Sequence, residues 1–419
     1  MTFSRFITSL VIVFAVFGQN PVSAQPQPSD LFREYSWANS NGDAGGSLRV
    51  GGKLDYGGGP INLPHTVDLE HAIRAEVVIE KLLCHDGTHG LAISWNGHEP
   101  FKFPEATGIP APQWDYQHFK FPVVDVPLDQ LKPAEGNSFK LHVDAEHSWN
   151  WPQNLIYGLQ LRIYYDSRQK LHPTGRVTLP ASNGTIGLEA ELLAEVKPGS
   201  APIKNVDFLG LYDGINWEGD GQYQQWHVTW FQGNLRNHLG TATAAPWQVF
   251  WDTSWIPDQD EEMQLAARIT DGDGLTYFTP AIPGLTLDRP GLSVELCRPY
   301  DMPTKWVTRV GEKSEKFRIA GNLQHAAAAR FVWSSWSPGY MDGLFLNGTK
   351  VFDREGPRYA CFQHTVPLDD LSQLQTGENI LTTGLTPKYN GKTVHGMEVN
   401  WPGIMVLIQY RTETDRSQQ

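Results

Sequence analysis

The chain has 419 residues, of which 40% are hydrophobic and 19% charged, and this balance excludes intrinsic disorder as the main state. Its 33 basic and 46 acidic residues give a formal net charge of −13 at pH 7. An acidic surface repels a phosphate backbone, so no general nucleic-acid partner is expected. The 40 glycines and 29 prolines, together with few helix-forming stretches, predict an all-β fold rich in turns.

The N-terminus predicts export. Arg5 precedes an apolar run over 6–17, and residues 22–24 form a small-residue cleavage site. We therefore expect a signal peptide over residues 1–24 and a mature protein that is secreted or periplasmic. The run is too short to span a bilayer, and no later segment approaches 18 apolar residues, so no membrane insertion is expected.

The chain has three cysteines, which allow one disulfide at most: Cys84, Cys297 and Cys361. Export into an oxidising compartment favours a disulfide. Cys297 and Cys361 fall in one predicted module and are the better candidates for a pair. Three unpaired thiols buried in strands remain an equally open alternative.

Two stretches of the chain carry the same landmarks in the same order. An apolar strand runs into Asn96-Gly97 in one stretch and into Asn347-Gly348 in the other, and Asn-Gly is a strong hairpin signal. The further matches are 126–131 with 366–371, 135–137 with 376–379, 150–152 with 400–402, and the alternating strands 159–165 with 404–410. The shared order predicts two copies of one architecture, with loops of different length.

These landmarks resemble the galactose-binding-like jelly roll of the sugar-binding domains of family-2 glycosidases. In that family an apolar strand runs into Asn-Gly, and a later Leu-x-x-Gly-x-Asn segment precedes an alternating strand. Residues 131–137 and 374–379 carry the corresponding segments here. The resemblance covers 30–166 and 291–412 and implies a two-sheet β-sandwich in each, with any ligand in the loops at one end.

Residues 174–290, between the two copies, alternate apolar and polar positions as strands do. The segments 251–253, 257–258 and 267–274 resemble the last strands of immunoglobulin-like modules found beside bacterial carbohydrate-active domains. A long insertion over 213–246 departs from those modules, and long ordered insertions are often functional. The expected fold is therefore three consecutive β-sandwich modules, two jelly-roll-like and one immunoglobulin-like between them.

The insertion begins with an acidic turn that suggests calcium. Oxygen-bearing side chains crowd together at Asp213, Asn216, Glu218 and Asp220. Ca²⁺ takes six to eight oxygen ligands from tightly turned loops, so these four residues are candidate ligands. The spacing is not that of an EF-hand, and a solvated acidic turn is the alternative.

Aromatic residues follow the acidic turn and suggest a sugar site. An indole ring can stack on the apolar face of a sugar while nearby amides and carboxylates bond its hydroxyls. The chain holds 15 tryptophans, some of which could equally fill the cores of the sandwiches. The candidate ligand-binding residues are Trp149, Trp217, Asp220, Gln225, Trp226 and His227.

Three functions fit this pattern. The first is a secreted protein that recognises a poly- or oligosaccharide through Trp-lined loops. The second is a polysaccharide-cleaving enzyme, a glycoside hydrolase or a lyase, with its site near 213–230. The third is a structural cell-surface protein. Glycoside hydrolysis needs two carboxylates, and no catalytic pair can be chosen among the candidates: Glu99, Asp115, Asp144, Glu146, Asp213, Glu218, Asp220 and Glu398. The oligomeric state is not predicted.

Overall fold

The computed structural model describes residues 26–38, 46–51, 59–83, 89–106, 108–109, 116–143, 154–180, 183–219 and 221–412. Strands dominate these residues, which confirms the all-β prediction. Among the described residues, no helix has the length and apolar character needed to cross a membrane. Several predicted features lie outside this part of the chain: the signal peptide, Cys84, Trp149, the 150–152 landmark and Asp220.

In the segment predicted as the first module (30–166), the described strands form two sheets. Its strands are β1 (Leu31–Ala38), β2 (Leu48–Val50), β3 (Ile61–Asn62), β4 (Ala72–Leu83), β5 (Ala92–Trp95), β6 (Phe101–Lys102), β7 (Phe119–Lys120), β8 (Val123–Val126), β9 (Ser138–His142) and β10 (Asn154–Tyr165). One sheet has the order β1-β10-β4, with β7 and β8 on the far edge of β4 and β2 beside β10. The other has the order β3-β9-β5-β6.

The middle module (174–290) continues the larger sheet. Its strands are β11 (Thr174–Thr178), β12 (Thr185–Ile186), β13 (Glu189–Lys197), β14 (Ile203–Asp213), β15 (Gln224–Trp226), β16 (Thr229–Phe231), β17 (Asn234–Arg236), β18 (Gly240–Ala242), β19 (Gln248–Asp252), β20 (Met263–Asp271), β21 (Leu275–Phe278) and β22 (Ile282–Leu287). β21 pairs with β1, with Phe32 opposite Thr276, so one sheet runs through both modules. The order β11-β13-β19 forms the facing sheet, and β16 and β17 form a separate hairpin.

The third module (291–412) again has two sheets. Its strands are β23 (Leu292–Cys297), β24 (Lys313–Ile319), β25 (Ala326–Trp336), β26 (Leu344–Leu346), β27 (Thr349–Phe352), β28 (Cys361–Pro367), β29 (Gly377–Thr383), β30 (Glu398–Val399) and β31 (Met405–Arg411). The sheet orders are β23-β31-β25-β28, with β30 beside β25, and β24-β29-β26-β27. Short 3-10 helices connect strands here and in the first module: Leu128–Gln130, Thr308–Val310, Leu323–His325, Pro338–Tyr340 and Leu371–Gln373.

The first and third modules share one strand order. β1-β10-β4-β8 in the first corresponds to β23-β31-β25-β28 in the third, and β3-β9-β5-β6 corresponds to β24-β29-β26-β27. In both modules the hairpin Asn-Gly follows the equivalent strand, β5 or β26. The repeated landmarks that fall on described residues therefore mark equivalent positions in the two modules, whereas the match of 150–152 with 400–402 is not tested.

Each sandwich has its own apolar core, because side chains that alternate along a strand place every second residue between the sheets. In the first module, Ile79 and Trp95 come from different sheets and belong to one apolar core. Trp333 belongs to the core of the third module. Phe208 belongs to the core of the middle module. Complete burial of such a side chain contributes about 1.5–3 kcal/mol.

A further apolar cluster joins all three modules. Phe119 and Tyr157 come from the first module, Trp226 and Trp230 from the middle one, and Trp336 from the third. Several of the largest fully buried side chains are tryptophans, namely Trp95, Trp230, Trp306, Trp333 and Trp336. Much of the unusual tryptophan content therefore serves packing.

A buried ion network fixes the first two modules to each other. Arg162 is inaccessible to solvent and bonds both Glu34, at 2.8 Å, and Glu76. Glu34 also pairs with Arg268 of the middle module. Burial opposes ionisation of Glu34, but the two guanidiniums prevail and hold the pKa of this carboxyl below its usual range.

The prediction of a Cys297–Cys361 disulfide is wrong. The alternative prediction of unpaired thiols is confirmed for these two residues. Both thiols are free. Cys297 ends β23 and Cys361 begins β28, at opposite edges of one sheet with two strands between them. Neighbouring strands lie about 4.8 Å apart, so the separation exceeds the roughly 7 Å between Cα atoms that a disulfide tolerates.

Candidate functional site

The loop after β14 holds the residues predicted to bind calcium. Asp213 pairs with Arg298 at 2.8 Å, and burial raises the pKa of its carboxyl. Asn216 is buried, and its Oδ1 accepts a bond from the backbone N–H of Gly219 at 2.7 Å. No three His, Cys, Asp or Glu side chains of the described chain are grouped for a metal ion. Calcium binding by Asp213, Asn216, Glu218 and Asp220 stays a prediction.

Trp226 and His227 lie in the protein interior. Trp226 packs edge-on against Phe278, with ring centroids 5.6 Å apart. His227 stacks on Tyr212 at 3.9 Å, and its Nε2 donates to the Tyr212 carbonyl oxygen at 2.8 Å. Burial lowers the pKa of His227 to about 4, so the ring is neutral at pH 7. Both side chains serve packing in this conformation.

The other described candidates, Trp217 and Gln225, are half-buried. Trp217 is half-buried against an apolar cluster of the third module that includes Val332 and Leu407. Gln225 lies on β15 opposite Tyr212. Trp217 and Trp226 pack against different apolar clusters, and ligand binding by this set stays a prediction.

A cavity of about 190 Å³ lies where the three modules meet. Arg236 is exposed at its edge, whereas Trp230 and Asn400 are buried. Its lining comes from all three modules: Phe119, Trp230, Phe231, Arg236, Ser334, Cys361, Phe362, Gln363 and Asn400. This cavity, lined by described residues, is a candidate site for a small ligand.

The third module supplies one wall of the cavity through a sheet face. Ser334 on β25 lies opposite Gln363 on β28, and the backbone N–H of Asn400 donates to the Ser334 carbonyl oxygen at 3.0 Å. Since every second residue of a strand shares a face, these three side chains form one row. The next row on that face is Cys361, Trp336 and Glu398.

The hairpin of β16 and β17 supplies the opposite wall. Its turn residues Gln232 and Gly233 have φ values of 50° and 77°, as a two-residue hairpin turn of this type requires. Both backbone N–H groups donate to the buried carboxyl of Glu80, the Gly233 bond being 2.7 Å. Burial raises the pKa of Glu80 to about 7. This anchor in the first module holds Trp230 and Phe231 against the cavity.

Some polar groups that line the cavity make only part of the hydrogen bonds that they could make. Asn400 donates from Nδ2 to Ser334 Oγ at 3.1 Å, but its buried Oδ1 has no hydrogen-bond partner among the described residues. Gln363 accepts through Oε1 from Asn237 at 3.3 Å, which leaves its amide –NH₂ as a donor. An unpaired buried acceptor costs about 1–3 kcal/mol, and a ligand that donates to Asn400 removes this cost while its own donor loses a bond to water.

Glu398 lies beside the cavity in the adjacent row. Its side chain is buried, and its Oε1 lies 3.5 Å from Nδ1 of His395. Burial raises the pKa of Glu398 to about 8, while a bond from Gln117 and the charge of Arg309 lower it less. The carboxyl is therefore mostly protonated at pH 7 and can donate a hydrogen bond or a proton.

Sequence patterns missed most of the cavity. Phe231 and Arg236 lie inside the insertion 213–246, whose length was the available signal. Gln363 and Phe362 follow no motif. Glu398 was one candidate carboxylate among eight; Asp115, Asp144, Glu146 and Asp220 lie outside the described residues, and of the other four only Glu398 is buried.

No protein-family model and no curated protein matches the chain. Solved structures with weak likeness include a β-porphyranase of glycoside hydrolase family 86 from Bacteroides plebeius, at TM-score 0.24 and 11% identity over 58% of this chain and 37% of that one. Fibronectin(III)-like modules of Clostridium thermocellum CbhA match at TM-score 0.17 and 16% identity. The match covers 45% of this chain and 77% of that one. An exo-β-1,3-galactanase from Phanerochaete chrysosporium, solved with β-1,3-galactotriose, matches at TM-score 0.17 and 11% identity. The match covers 70% of this chain and 65% of that one.

The first three solved structures of this group are all of family 86, and the chain spans about a third of the length of each. Carbohydrate-active proteins therefore stand among the structural neighbours. At TM-scores of 0.24 and below, their likeness to this chain carries no argument about its activity.

Proposed function

We propose that the protein binds a poly- or oligosaccharide and places one sugar unit in the junction cavity. The observation that carries the proposal is the buried, unpaired Oδ1 of Asn400 in a cavity walled by aromatic rings. A sugar ring offers apolar C–H faces to aromatic side chains and hydroxyls to polar ones. The cavity presents both kinds of partner.

The donors and acceptors also suit hydroxyl groups. Asn400 needs a donor, while Arg236 and the amide of Gln363 need acceptors. One hydroxyl both donates and accepts, so a polyhydroxylated ring can satisfy all three. At about 190 Å³ the cavity is smaller than the roughly 300–1,000 Å³ of drug-sized ligand pockets, which suits a single ring.

The proposal includes the export that residues 1–24 predict, since polysaccharides are met outside the cytoplasm. A purely structural role stays the alternative, and it predicts that no sugar binds.

Isothermal titration calorimetry of the chain without residues 1–24, against a panel of neutral and acidic oligosaccharides, tests the proposal. We expect at least one sugar to bind, and Phe231→Ala and Arg236→Ala to weaken that binding about tenfold or more. Phe250→Ala removes a ring that is 61% exposed in the middle module and is the matched control. The proposal fails if no sugar binds, or if the cavity variants bind like the unmodified chain.

Glu398 favours a second candidate function, cleavage of the bound saccharide. Glu398 does not line the cavity but is buried one residue row from Ser334, and its pKa near 8 gives it the protonation state of a general acid at neutral pH. New reducing ends or unsaturated products, scored after incubation with each polymer, would reveal cleavage. Glu398→Gln should then abolish the products and keep sugar binding. Products that persist in this variant would rule out Glu398 as the acid.

A further inference from the structure

Arg358 lies between two tyrosine rings on the outside of the third module. Its guanidinium carbon is 4.8 Å from the ring centroid of Tyr340 and 4.7 Å from that of Tyr389. The aliphatic part of the Arg358 side chain packs against Gly339, where an added Cβ would lie 2.8 Å from Arg358 Cγ. The side chain is therefore held in one position although the residue is exposed.

This arrangement leaves the hydrogen-bonding edge of the guanidinium available. Aromatic rings contact the faces of the guanidinium plane, whereas its five N–H groups point outward within that plane. No carboxylate of the described residues pairs with Arg358. A planar edge of this kind binds carboxylate or sulfate oxygens through two parallel bonds.

Tyr359 and Tyr389 place exposed rings beside Arg358. Tyr359 is 37% and Tyr389 53% exposed. Tyr359 has φ 57°, a conformation that is an outlier for a bulky side chain. The backbone N–H of Tyr359 donates to Ser337 Oγ at 2.9 Å. The hydroxyl of Tyr359 accepts a hydrogen bond from the hydroxyl of Tyr340 at 3.0 Å. The fold thus positions this ring at the surface by several contacts.

The segment that carries Tyr389 is basic on a chain that is acidic as a whole, whereas Asp353 and Glu355 precede Arg358 and Asp353 pairs with Lys350. The segment 379–397 contains no Asp or Glu, but it carries Lys388, Lys392 and His395. Lys392 pairs with Tyr389 through two backbone bonds of 3.0 Å, so this charge flanks the exposed ring. Burial raises the pKa of Glu398, the next carboxyl in the chain, to about 8 and keeps it mostly neutral at pH 7.

We propose that Arg358, Tyr359 and Tyr389 form a second carbohydrate-binding face, which takes a sugar unit that bears a carboxylate or a sulfate. The tyrosine rings contact the apolar face of the sugar, and the guanidinium edge of Arg358 bonds its anionic group. The inference rests on the proposed function for the class of ligand, but it uses none of the cavity residues.

Affinity electrophoresis of the chain without residues 1–24 tests this face. The gels contain polygalacturonate, dextran sulfate or neutral dextran, and each is run at low and high salt. We expect retention by at least one anionic polymer, about tenfold or more weaker in Arg358→Gln and Tyr389→Ala, and weaker at high salt. Retention by polygalacturonate alone identifies the carboxylate as the ligand group, and retention by dextran sulfate alone identifies the sulfate.

Matched controls separate a specific face from general charge. Arg176→Gln changes the net charge equally at an exposed site of the middle module, and Phe250→Ala removes an exposed ring there. Equal weakening in Arg176→Gln, unchanged retention in Arg358→Gln, or no retention by either anionic polymer overturns the inference. Phe231→Ala should not weaken retention by the anionic polymer. Loss of its sugar binding with retention intact shows that the two sites are separate.

Discussion

The side-chain amide of Asn96 donates to Oδ1 of Asn137 over 2.9 Å. The third module repeats the bond, from Asn347 to Asn379, at the same 2.9 Å. In both modules the first asparagine also accepts from a backbone N–H of the adjacent strand, at 2.9 Å in one case and 3.0 Å in the other. The Asn-Gly and Gly-x-Asn landmarks of the sequence are thus two ends of one hydrogen-bond network.

We expect Asn379→Ala to destabilise the protein by about 2–3 kcal/mol. Asn379 is fully buried, and it bonds both the N–H and the carbonyl oxygen of Gln375, at 2.9 and 2.6 Å. Its loss leaves those backbone groups without partners in an interior position. Denaturant unfolding measures the change, with the exposed Asn183→Ala as the control. A loss below about 0.5 kcal/mol for Asn379→Ala would contradict the network.

Removal of the buried cation at the junction of the first two modules should cost about 3–5 kcal/mol. Arg162→Met keeps the volume but leaves Glu34 and Glu76 without their shared partner. Arg168→Met, at a position whose side chain is 86% exposed, is the control and should change the free energy of unfolding by less than about 1 kcal/mol. Equal effects of the two changes would show that the network does not stabilise the junction.

Stability should depend on pH through Glu80. Its folded-state pKa, about 7, lies above the ordinary value of 4.5. The protonated form is therefore favoured by folding, and its contribution is complete below pH 4.5 and declines as pH rises towards 7. The whole change is on the order of 3 kcal/mol. Relative to Glu80→Gln, the unmodified chain should lose stability between pH 5 and pH 7.5.

Denaturant unfolding at several pH values checks this, with the exposed Glu312→Gln as the matched control. A difference between the unmodified chain and Glu80→Gln that stays constant across the range would contradict the prediction. Because Glu80 holds the turn of the β16–β17 hairpin, the same titration reports on one wall of the cavity.

Thiol counting tests the correction of the disulfide. In Cys84→Ser we expect two reactive thiols per chain in denaturant without reductant, since Cys297 and Cys361 are unpaired. In the folded protein Cys361 should react slowly, because burial raises the pKa of its thiol to about 12 and little thiolate is present. A count of zero thiols in denaturant would restore the disulfide.

Much of the fold could be predicted from local signals. The turn Asn347-Gly348 follows β26 and the buried Asn379 lies on the adjacent strand β29, and both lie in short motifs that recur in the same order at Asn96-Gly97 and Asn137. The position of Trp226 could not be read this way. A tryptophan on a strand looks the same in sequence whether it faces solvent or Phe278, and here it faces Phe278.

The candidate site was beyond sequence patterns because its residues meet only after three modules pack. Phe119, Trp230 and Asn400 are more than 100 residues apart in the chain, and no periodicity connects them. The length of the insertion 213–246 did indicate the segment that contributes Trp230, Phe231 and Arg236 to the cavity. Its acidic turn drew attention to 213–220, whereas the hairpin that follows lines the cavity.

The pairing of β1 with β21 makes the first two modules one mechanical unit. Phe32 on β1 lies opposite Thr276 on β21, and the two strands pair through main-chain hydrogen bonds. A cut in the linker near residue 170 therefore does not yield a complete, independent β-sandwich. A fragment ending there would present an open strand edge and the bare side of Phe32, the conditions under which β-proteins add strands from their neighbours. Shuffling of such modules, by recombination or in the laboratory, must therefore move the two together.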